Sequence, residues 1–103
     1  MKFRPLPKFD SDWDSLKSEA RAKFKKKAVA FSAACDGYAV NPSGHRWPTD
    51  FRVKKRKNEP GIWEMTWSFS GPDGRATFEF EMVEFEMRLI WRRIGSHEIY
   101  NDS

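Results

Sequence analysis

The sequence predicts an α+β fold, in which an antiparallel sheet of about four strands carries two N-terminal helices packed on one face. Residues 62–94 hold three runs of alternating apolar and polar residues, and a period of two is typical of half-buried strands. Residues 13–35 instead repeat apolar residues every three or four positions, as a helix facing a core does. The length of 103 residues fits one domain, spanning residues 1–103.

The N-terminal segment, residues 2–9, alternates in the manner of a strand but contains Pro5 and Pro7. Proline removes a donor from the hydrogen-bond ladder, so this segment is predicted to be an edge strand or an extended lead-in.

Two helices are predicted next, over about residues 11–17 and 19–35. Asp10 and Ser11 are both suitable N-cap residues. Gly37 is expected to end the second helix at positive φ. The residues of the core-facing stripe are Trp13, Leu16, Ala20, Phe24, Ala28, Phe31 and Cys35.

Residues 37–50 are predicted to form a loop, because they are rich in Gly, Pro, Asn, Ser and Asp. His45 lies in this loop, where a histidine is more often incidental than catalytic. Asn58-Glu59-Pro60-Gly61 is expected to turn the chain into the sheet, and Ser70-Gly71-Pro72-Asp73-Gly74 to connect its first two long strands.

The last two strands are predicted to form a hairpin with Val83 and Glu84 at an exposed tip. This register places Glu79 opposite Arg88, an attractive cross-strand pair. It also places Glu81 opposite Glu86, which is mildly unfavourable. The apolar pairs in this register are Met82 with Phe85, Phe80 with Met87, and Phe78 with Leu89.

Composition limits the classes of function. The formal charge of +4 favours a polyanionic partner, and the single Cys35 excludes an intramolecular disulfide and suits a reducing compartment. No apolar run approaches the roughly 20 residues needed to span a membrane, and the N-terminus lacks a signal-peptide core. We therefore expect a cytoplasmic protein without a membrane partner.

Basic residues are concentrated in two places. Residues 52–57 carry five positive charges in six positions, and the last strand adds Arg88, Arg92 and Arg93. A basic run is usually only a solvated segment, but two such clusters in one small fold also suit a phosphate-binding surface.

The sequence holds no zinc spacing, Gly-rich phosphate loop or dinucleotide fingerprint, so neither a metal nor a cofactor is expected. His97 remains, close in sequence to Arg92, Arg93 and Tyr100 and preceded by Arg75. Cleavage of RNA by its own 2′-hydroxyl needs proton transfer, which suits histidine, and stabilisation of phosphorane charge, which suits arginine. A histidine just after a terminal strand is also often merely structural.

The segments Arg75–Phe80 and Leu89–Tyr100 resemble the end of RelE-superfamily toxins, the ribosome-dependent mRNA interferases of type II toxin–antitoxin systems. The ending Arg93-Ile94-Gly95-Ser96-His97 is most similar to the YafQ branch. The order of elements also resembles the family's β-α-α-β-β-β arrangement.

This resemblance implies roles for individual residues. His97 would be the catalytic histidine and Tyr100 the terminal aromatic residue, while Arg75 and Arg93 would stabilise the transition state. Lys54, Lys55, Arg56, Lys57 and Arg92 would bind RNA. The YafQ branch carries further histidines where this chain has Lys54, Lys55 and Arg56, so catalysis here would lean on Lys and Arg, as in RelE-type members.

The resemblance also implies mRNA and the ribosome as partners, together with a small antitoxin protein. Two other functions stay open at this stage. The same fold serves ParE-type toxins, which inhibit DNA gyrase by protein contact, and in that case His97 would be dispensable. The third possibility is a non-catalytic RNA-binding domain.

Overall fold

The structure, a computed structural model, describes residues 1–69 and 73–96 of the chain. Eight elements follow one another along these residues. They are β1 (Phe3–Pro5), α1 (Pro7–Ser15), α2 (Ser18–Val40), a 3-10 turn (Thr49–Phe51), β2 (Lys54–Lys55), β3 (Trp63–Ser68), β4 (Gly74–Val83) and β5 (Glu86–Gly95).

The predicted α+β class with two N-terminal helices is confirmed, but the predicted sheet was wrong in strand number and direction. The sheet has five strands in the order β1-β5-β4-β3-β2, and β1 runs parallel to β5. The other pairings are antiparallel. The additional strand, β2, consists of two lysines and has no apolar alternation from which a strand could be predicted.

Helix α1 begins earlier than predicted. Its N-cap is Leu6 rather than Asp10 or Ser11, and Pro7 occupies the first turn. Proline suits this position because its fixed φ matches the helix and its missing N–H would have had no intrahelical partner. The N–H of Asp10 donates to the carbonyl of Leu6 over 3.2 Å, so Asp10 lies inside the helix.

Helix α2 continues past Gly37 to Val40, so Gly37 is not its terminating residue. Tertiary packing accounts for the extension. The ring of Tyr38 stacks on Phe80 with centroids 4.7 Å apart and on Trp47 with centroids 5.4 Å apart. A Cβ at position 37 would lie 2.9 Å from the ring of His45, so a glycine here lets the following loop approach the helix closely.

The core lies between the helices and one face of the sheet, which we call the helix face. Phe31 is fully buried at its centre, and its ring contacts those of Phe51, Phe78 and Trp91 at centroid distances of 5.1–5.6 Å. Of the predicted helical stripe, Phe24, Phe31 and Cys35 are buried, and Trp13, Leu16, Ala20 and Ala28 are partly buried. From the alternating runs of the strands, the buried residues are Met65, Trp67, Phe78, Leu89 and Trp91, and the partly buried ones are Trp63 and Phe80.

A bulge interrupts the alternation in β5. Thr77 pairs with Arg93 and Phe78 with Trp91, so the register skips Arg92. As a result Trp91 and Ile94, three positions apart, are both buried, at 3% and 2% exposure. Strict alternation would have placed these two side chains on opposite faces.

The predicted hairpin register was wrong by two residues, with the loop one position further along the chain than expected. Val83 pairs with Glu86, so the two-residue loop is Glu84-Phe85. This register brings Glu81 opposite Arg88 and removes the repulsive pairing with Glu86. Charge pairing across the strands and a two-residue loop therefore agree on one register.

Candidate nucleic-acid interface

The second face of the sheet is polar and carries ion pairs between neighbouring strands. We call it the charged face. Its ionic side chains come from all five strands and alternate with the apolar residues of the helix face. They are Arg4, Lys54, Glu64, Arg75, Glu79, Glu81, Arg88 and Arg92.

Glu64 organises one end of the charged face. It is only 4% exposed, although it carries a carboxylate. Its carboxylate oxygens lie 3.2 Å from Arg75, 3.6 Å from Arg56 and 3.7 Å from Lys54. A buried carboxylate is stable only when cations and hydrogen bonds surround it, so Glu64 draws these three predicted site residues together.

Two further carboxylates accompany this cluster. The guanidinium of Arg56 donates to Glu59 over 3.1 Å, and that of Arg75 reaches Asp73 over 3.5 Å. Three cations and three carboxylates therefore lie close together, so the cations are held in place and their charge is largely balanced. A phosphate would meet them in fixed positions but in competition with carboxylates.

Arg75 also lies beside the end of the last strand. Its pairing partners are Thr66 on β3 and Gly95 on β5. Gly95 precedes His97 by two positions in the sequence. The register thus brings Arg75 to the strand end that leads directly to the predicted catalytic histidine.

Arg92 and Arg93 have different surroundings, although they are adjacent in sequence. Arg92 donates to Glu79 on the charged face over 2.7 Å. Arg93 forms a two-pronged pair with Asp12 of α1, at 2.7 and 3.0 Å, and the backbone N–H of Ile94 donates to the same carboxylate over 3.1 Å. Asp12 therefore links α1 to the end of β5 by accepting hydrogen bonds from the side chain of Arg93 and the backbone of Ile94.

The remaining lysines of the basic run are exposed. The ammonium of Lys55 lies 5.2 Å from the ring centroid of Trp63, on the opposite side of β2 from Lys54. Lys57 is exposed in the turn after β2. The structure brings Lys54, Arg56 and Arg75 together but gives Lys55 a different orientation.

At the other end of the charged face, Arg4 pairs with Glu81 through two hydrogen bonds of 3.0 and 3.1 Å. This hydrogen-bonded guanidinium lowers the pKa of the Glu81 carboxyl below its usual value, and the carboxylate correspondingly raises the pKa of Arg4. The two ends of the face are therefore built alike, each from carboxylates paired with arginines.

Two predicted catalytic residues, His97 and Tyr100, lie outside the described residues, as do residues 70–72 of the predicted turn before β4. His45 lies in its loop against Tyr38 and Trp47, with ring centroids 6.0 and 4.6 Å away. These contacts give it a packing role in the loop.

Sequence reasoning missed the acidic members of the site. Alternation did place Glu64 on the polar face, but its convergence with Arg75 depends on a strand register that alternation leaves open. Asp12 and Arg93 are 81 positions apart, and no local pattern links them. The place of Glu64 and Asp12 in the site is therefore evident only from the tertiary contacts.

Within residues 1–69 and 73–96, no group of three or more His, Cys, Asp or Glu side chains is arranged to hold a metal ion. None of the helices in the same ranges combines the length and apolarity needed to cross a membrane. No protein-family model, curated protein or solved structure matches this chain.

Proposed function

We propose that the protein is the toxin of a type II toxin–antitoxin system, an endoribonuclease that cleaves mRNA on the ribosome. The observation that carries this proposal is the pairing of Arg75 with Gly95, because it brings an arginine, whose guanidinium suits phosphate, to the strand end that leads to His97. The resemblance of residues 75–80 and 89–100 to RelE-superfamily toxins supports the same reading.

In the proposed reaction the 2′-oxygen attacks the neighbouring phosphorus as its proton passes to a base. The bond to the 5′-oxygen then breaks, and that oxygen takes a proton. The products are a 2′,3′-cyclic phosphate and a 5′-hydroxyl. His97 takes part in proton transfer, with Tyr100 nearby in sequence, and Arg75 binds the developing negative charge.

From their ion pairs we infer different roles for the other basic residues. Lys54 and Arg56 share Glu64 with Arg75, so they extend the proposed phosphate-binding surface along β2, and the exposed Lys57 continues it. Lys55 lies on the opposite side of β2 and would contact RNA only at the edge of this surface. Arg93 is held by Asp12 and acts as a positioning residue, since its guanidinium fixes the end of β5 against α1. Arg92, paired with Glu79, lies on the RNA side.

The test is cleavage of mRNA on programmed ribosomes by purified variants. We expect His97→Ala to lower cleavage by about 10²- to 10⁴-fold, as is usual for one general acid or base. Arg75→Ala should cause a comparable loss, and Arg75→Lys a smaller one, because lysine keeps the charge but lacks the two-pronged geometry. Thermal melts establish that each variant is folded.

Arg4→Ala is the matched control. It removes an arginine of the same face, also paired with a carboxylate, but at the other end of the sheet beside Glu81. Cleavage should be unchanged. Wild-type cleavage by the His97 variant would remove this residue from the mechanism and move proton transfer to Lys54, Lys55 or Tyr100.

A non-catalytic RNA-binding domain is the second candidate, and the pairing of Arg93 with Asp12 favours it, because this arginine must leave a partly buried carboxylate before it can reach phosphate. Expression in cells separates the candidates. Primer extension should show new 5′ ends in cellular messages if the protein is a nuclease. Intact messages with normal growth would favour simple RNA binding, and intact messages with DNA breaks would favour a gyrase inhibitor.

The toxin reading implies an antitoxin partner. Its acidic or amphipathic C-terminal segment would cover Arg75, Arg93 and the run Lys54–Lys57. It would compete with RNA for Arg75 and the cations of that run, while Arg93 stays paired with Asp12. Co-expression with the product of the adjacent gene should yield a stable complex. Repeated failure to co-purify would weaken the toxin–antitoxin assignment and leave the nuclease assignment standing.

A further inference from the structure

The β4–β5 hairpin ends in a strained turn that carries a fully exposed aromatic side chain. Glu84 and Phe85 form the loop, and their φ angles are both positive, 52° and 66°. Two-residue loops of this geometry favour Asn and Gly, because bulky side chains are disfavoured at positive φ. Phe85 is 101% exposed, so its ring gains no packing within the chain. Strain without internal compensation is typical of a residue that serves an external contact.

The hairpin tip projects beyond the neighbouring strands. The pairing of β3 with β4 ends at Phe78, and that of β1 with β5 begins at Leu89. Met82, at the tip, is 62% exposed. The tip therefore presents two large apolar side chains beside the exposed carboxylates of Glu84 and Glu86.

A groove on the helix face has the complementary chemistry. It measures about 640 Å³, lies between β1 and α2, and is lined mainly by apolar side chains. Phe3 and Val29 line it and are 64% and 76% exposed. Its charged lining residues are Lys25 and Asp10, and the ammonium of Lys25 lies 5.9 Å from the ring centroid of Trp13, which also lines the groove.

We propose that this groove binds the hairpin tip of a second copy of the chain, with Phe85 in the groove and the neighbouring carboxylates near Lys25. The exchange is reciprocal, because tip and groove are adjacent in one chain. Lys2 lies 3.7 Å from Glu86, and its neighbours Met1 and Phe3 both line the groove. A two-fold axis beside this edge therefore places each tip in the partner's groove at the same time.

Sedimentation equilibrium of the full chain tests the proposal. The wild type should be a dimer, whereas Phe85→Asp and Val29→Glu should each weaken self-association at least tenfold, because each puts a charge into the apolar contact. Val40→Asp is the control, since Val40 is 86% exposed at the end of α2 and lies in neither surface. This variant should remain a dimer.

One further variant and one mixture of variants separate loss of the contact from loss of folding. Phe85→Gly removes the ring and relaxes the positive φ, so the protein should become monomeric with a melting temperature no lower than that of Phe85→Asp. A mixture of Phe85→Asp and Val29→Glu should form heterodimers more readily than either variant forms homodimers, because the heterodimer keeps one intact tip-and-groove contact.

A wild-type protein that stays monomeric at concentrations on the order of 100 µM overturns the proposal. A dimer that survives both Phe85→Gly and Val29→Glu overturns it as well, since self-association would then use another surface. The dimer is independent of the proposed RNA chemistry, and Arg75→Ala should leave it unchanged.

Discussion

The two faces of the sheet are stabilised by different interactions. On the helix face, fully buried rings such as Phe31 and Phe78 pack at centroid distances near 5 Å. On the charged face, arginines and carboxylates pair across strands, and side chains such as Arg92 and Glu79 remain about 30% exposed. Packed rings have no alternative partner, whereas a partly exposed ion pair can exchange its carboxylate for a phosphate. The comparison predicts that stability depends chiefly on one face and binding on the other.

The largest effect is expected from truncating the centre of the helix face. Phe31→Ala removes a fully buried ring that contacts four other aromatic rings. The free energy of unfolding should fall by about 3–5 kcal/mol, as for other buried Phe→Ala changes. Urea denaturation measures it. Phe69→Ala is the control, since Phe69 is 44% exposed. If it lowered the free energy of unfolding as much as Phe31→Ala, stability would not depend chiefly on the buried rings of the helix face.

Glu64→Gln should separate stability from binding on the charged face. The substitution removes the carboxylate shared by Lys54, Arg56 and Arg75, so the free energy of unfolding should fall by about 1.5–3 kcal/mol. RNA affinity should rise, because no carboxylate at this position would then compete with phosphate for these cations. The salt dependence of binding should steepen by about one phosphate contact.

Glu81→Gln is the matched control for that experiment, because it makes the same change in net charge at the Arg4 end of the face. An exposed pair of this kind adds little to stability, so the free energy of unfolding should change less than in Glu64→Gln, and RNA affinity should not change. Equal gains in affinity from both variants would show that net charge alone, rather than the Glu64 cluster, governs binding.

Gly74→Ala tests how closely the first long hairpin packs on the helix face. A Cβ at this position would lie 2.6 Å from the indole of Trp67, a rigid ring that is 5% exposed. We expect a loss of about 1–3 kcal/mol from overpacking, measured by thermal or urea denaturation. Gly44→Ala should cost less, because the added methyl group there meets only the movable side chain of Asn41.

The smallest effect concerns Cys35 in the core. Burial raises the pKa of its thiol from 9.0 to about 12, since the thiolate is disfavoured away from water. The unfolded chain loses this proton near pH 9 while the folded chain retains it. The stabilisation is thus fully present below pH 9 and is lost as pH rises towards 12, at up to about 1.4 kcal/mol per pH unit. Denaturation curves at pH 8 and pH 10 measure it, and Cys35→Ala should show a smaller decline.

Elements with many local cues were predicted well. The stripe from Trp13 to Cys35 and the three alternating runs after Ile62 placed both helices and three strands. The missed strand and the misplaced helix ends lacked such cues. Lys54–Lys55 is recognisable as a strand only because it pairs with Trp63 and Glu64. Helix α2 continues past Gly37 because the ring of Tyr38 stacks on those of Trp47 and Phe80.

The candidate site likewise has features that local sequence cues predict and features that depend on tertiary contacts. The types of its residues could be inferred from the sequence, since arginines and lysines beside a histidine suit phosphate chemistry. Their arrangement could not, because it depends on pairings such as Arg75 with Gly95 and on carboxylates far away in the chain. The convergence of Lys54, Arg56 and Arg75 on Glu64 is a property of the sheet.

The sequence by itself determined the class of fold, the helix-facing stripe and the polar identity of the second sheet face, because apolar periodicity dictates which side of an element is buried. Tertiary structure alone decided the parallel pairing of β1, the hairpin register and the bulge at Arg92. These features depend on which of several similar pairings satisfies charge, twist and ring packing together. In the β4–β5 hairpin, a shift of two residues changes every cross-strand partner while each side chain keeps its face of the sheet.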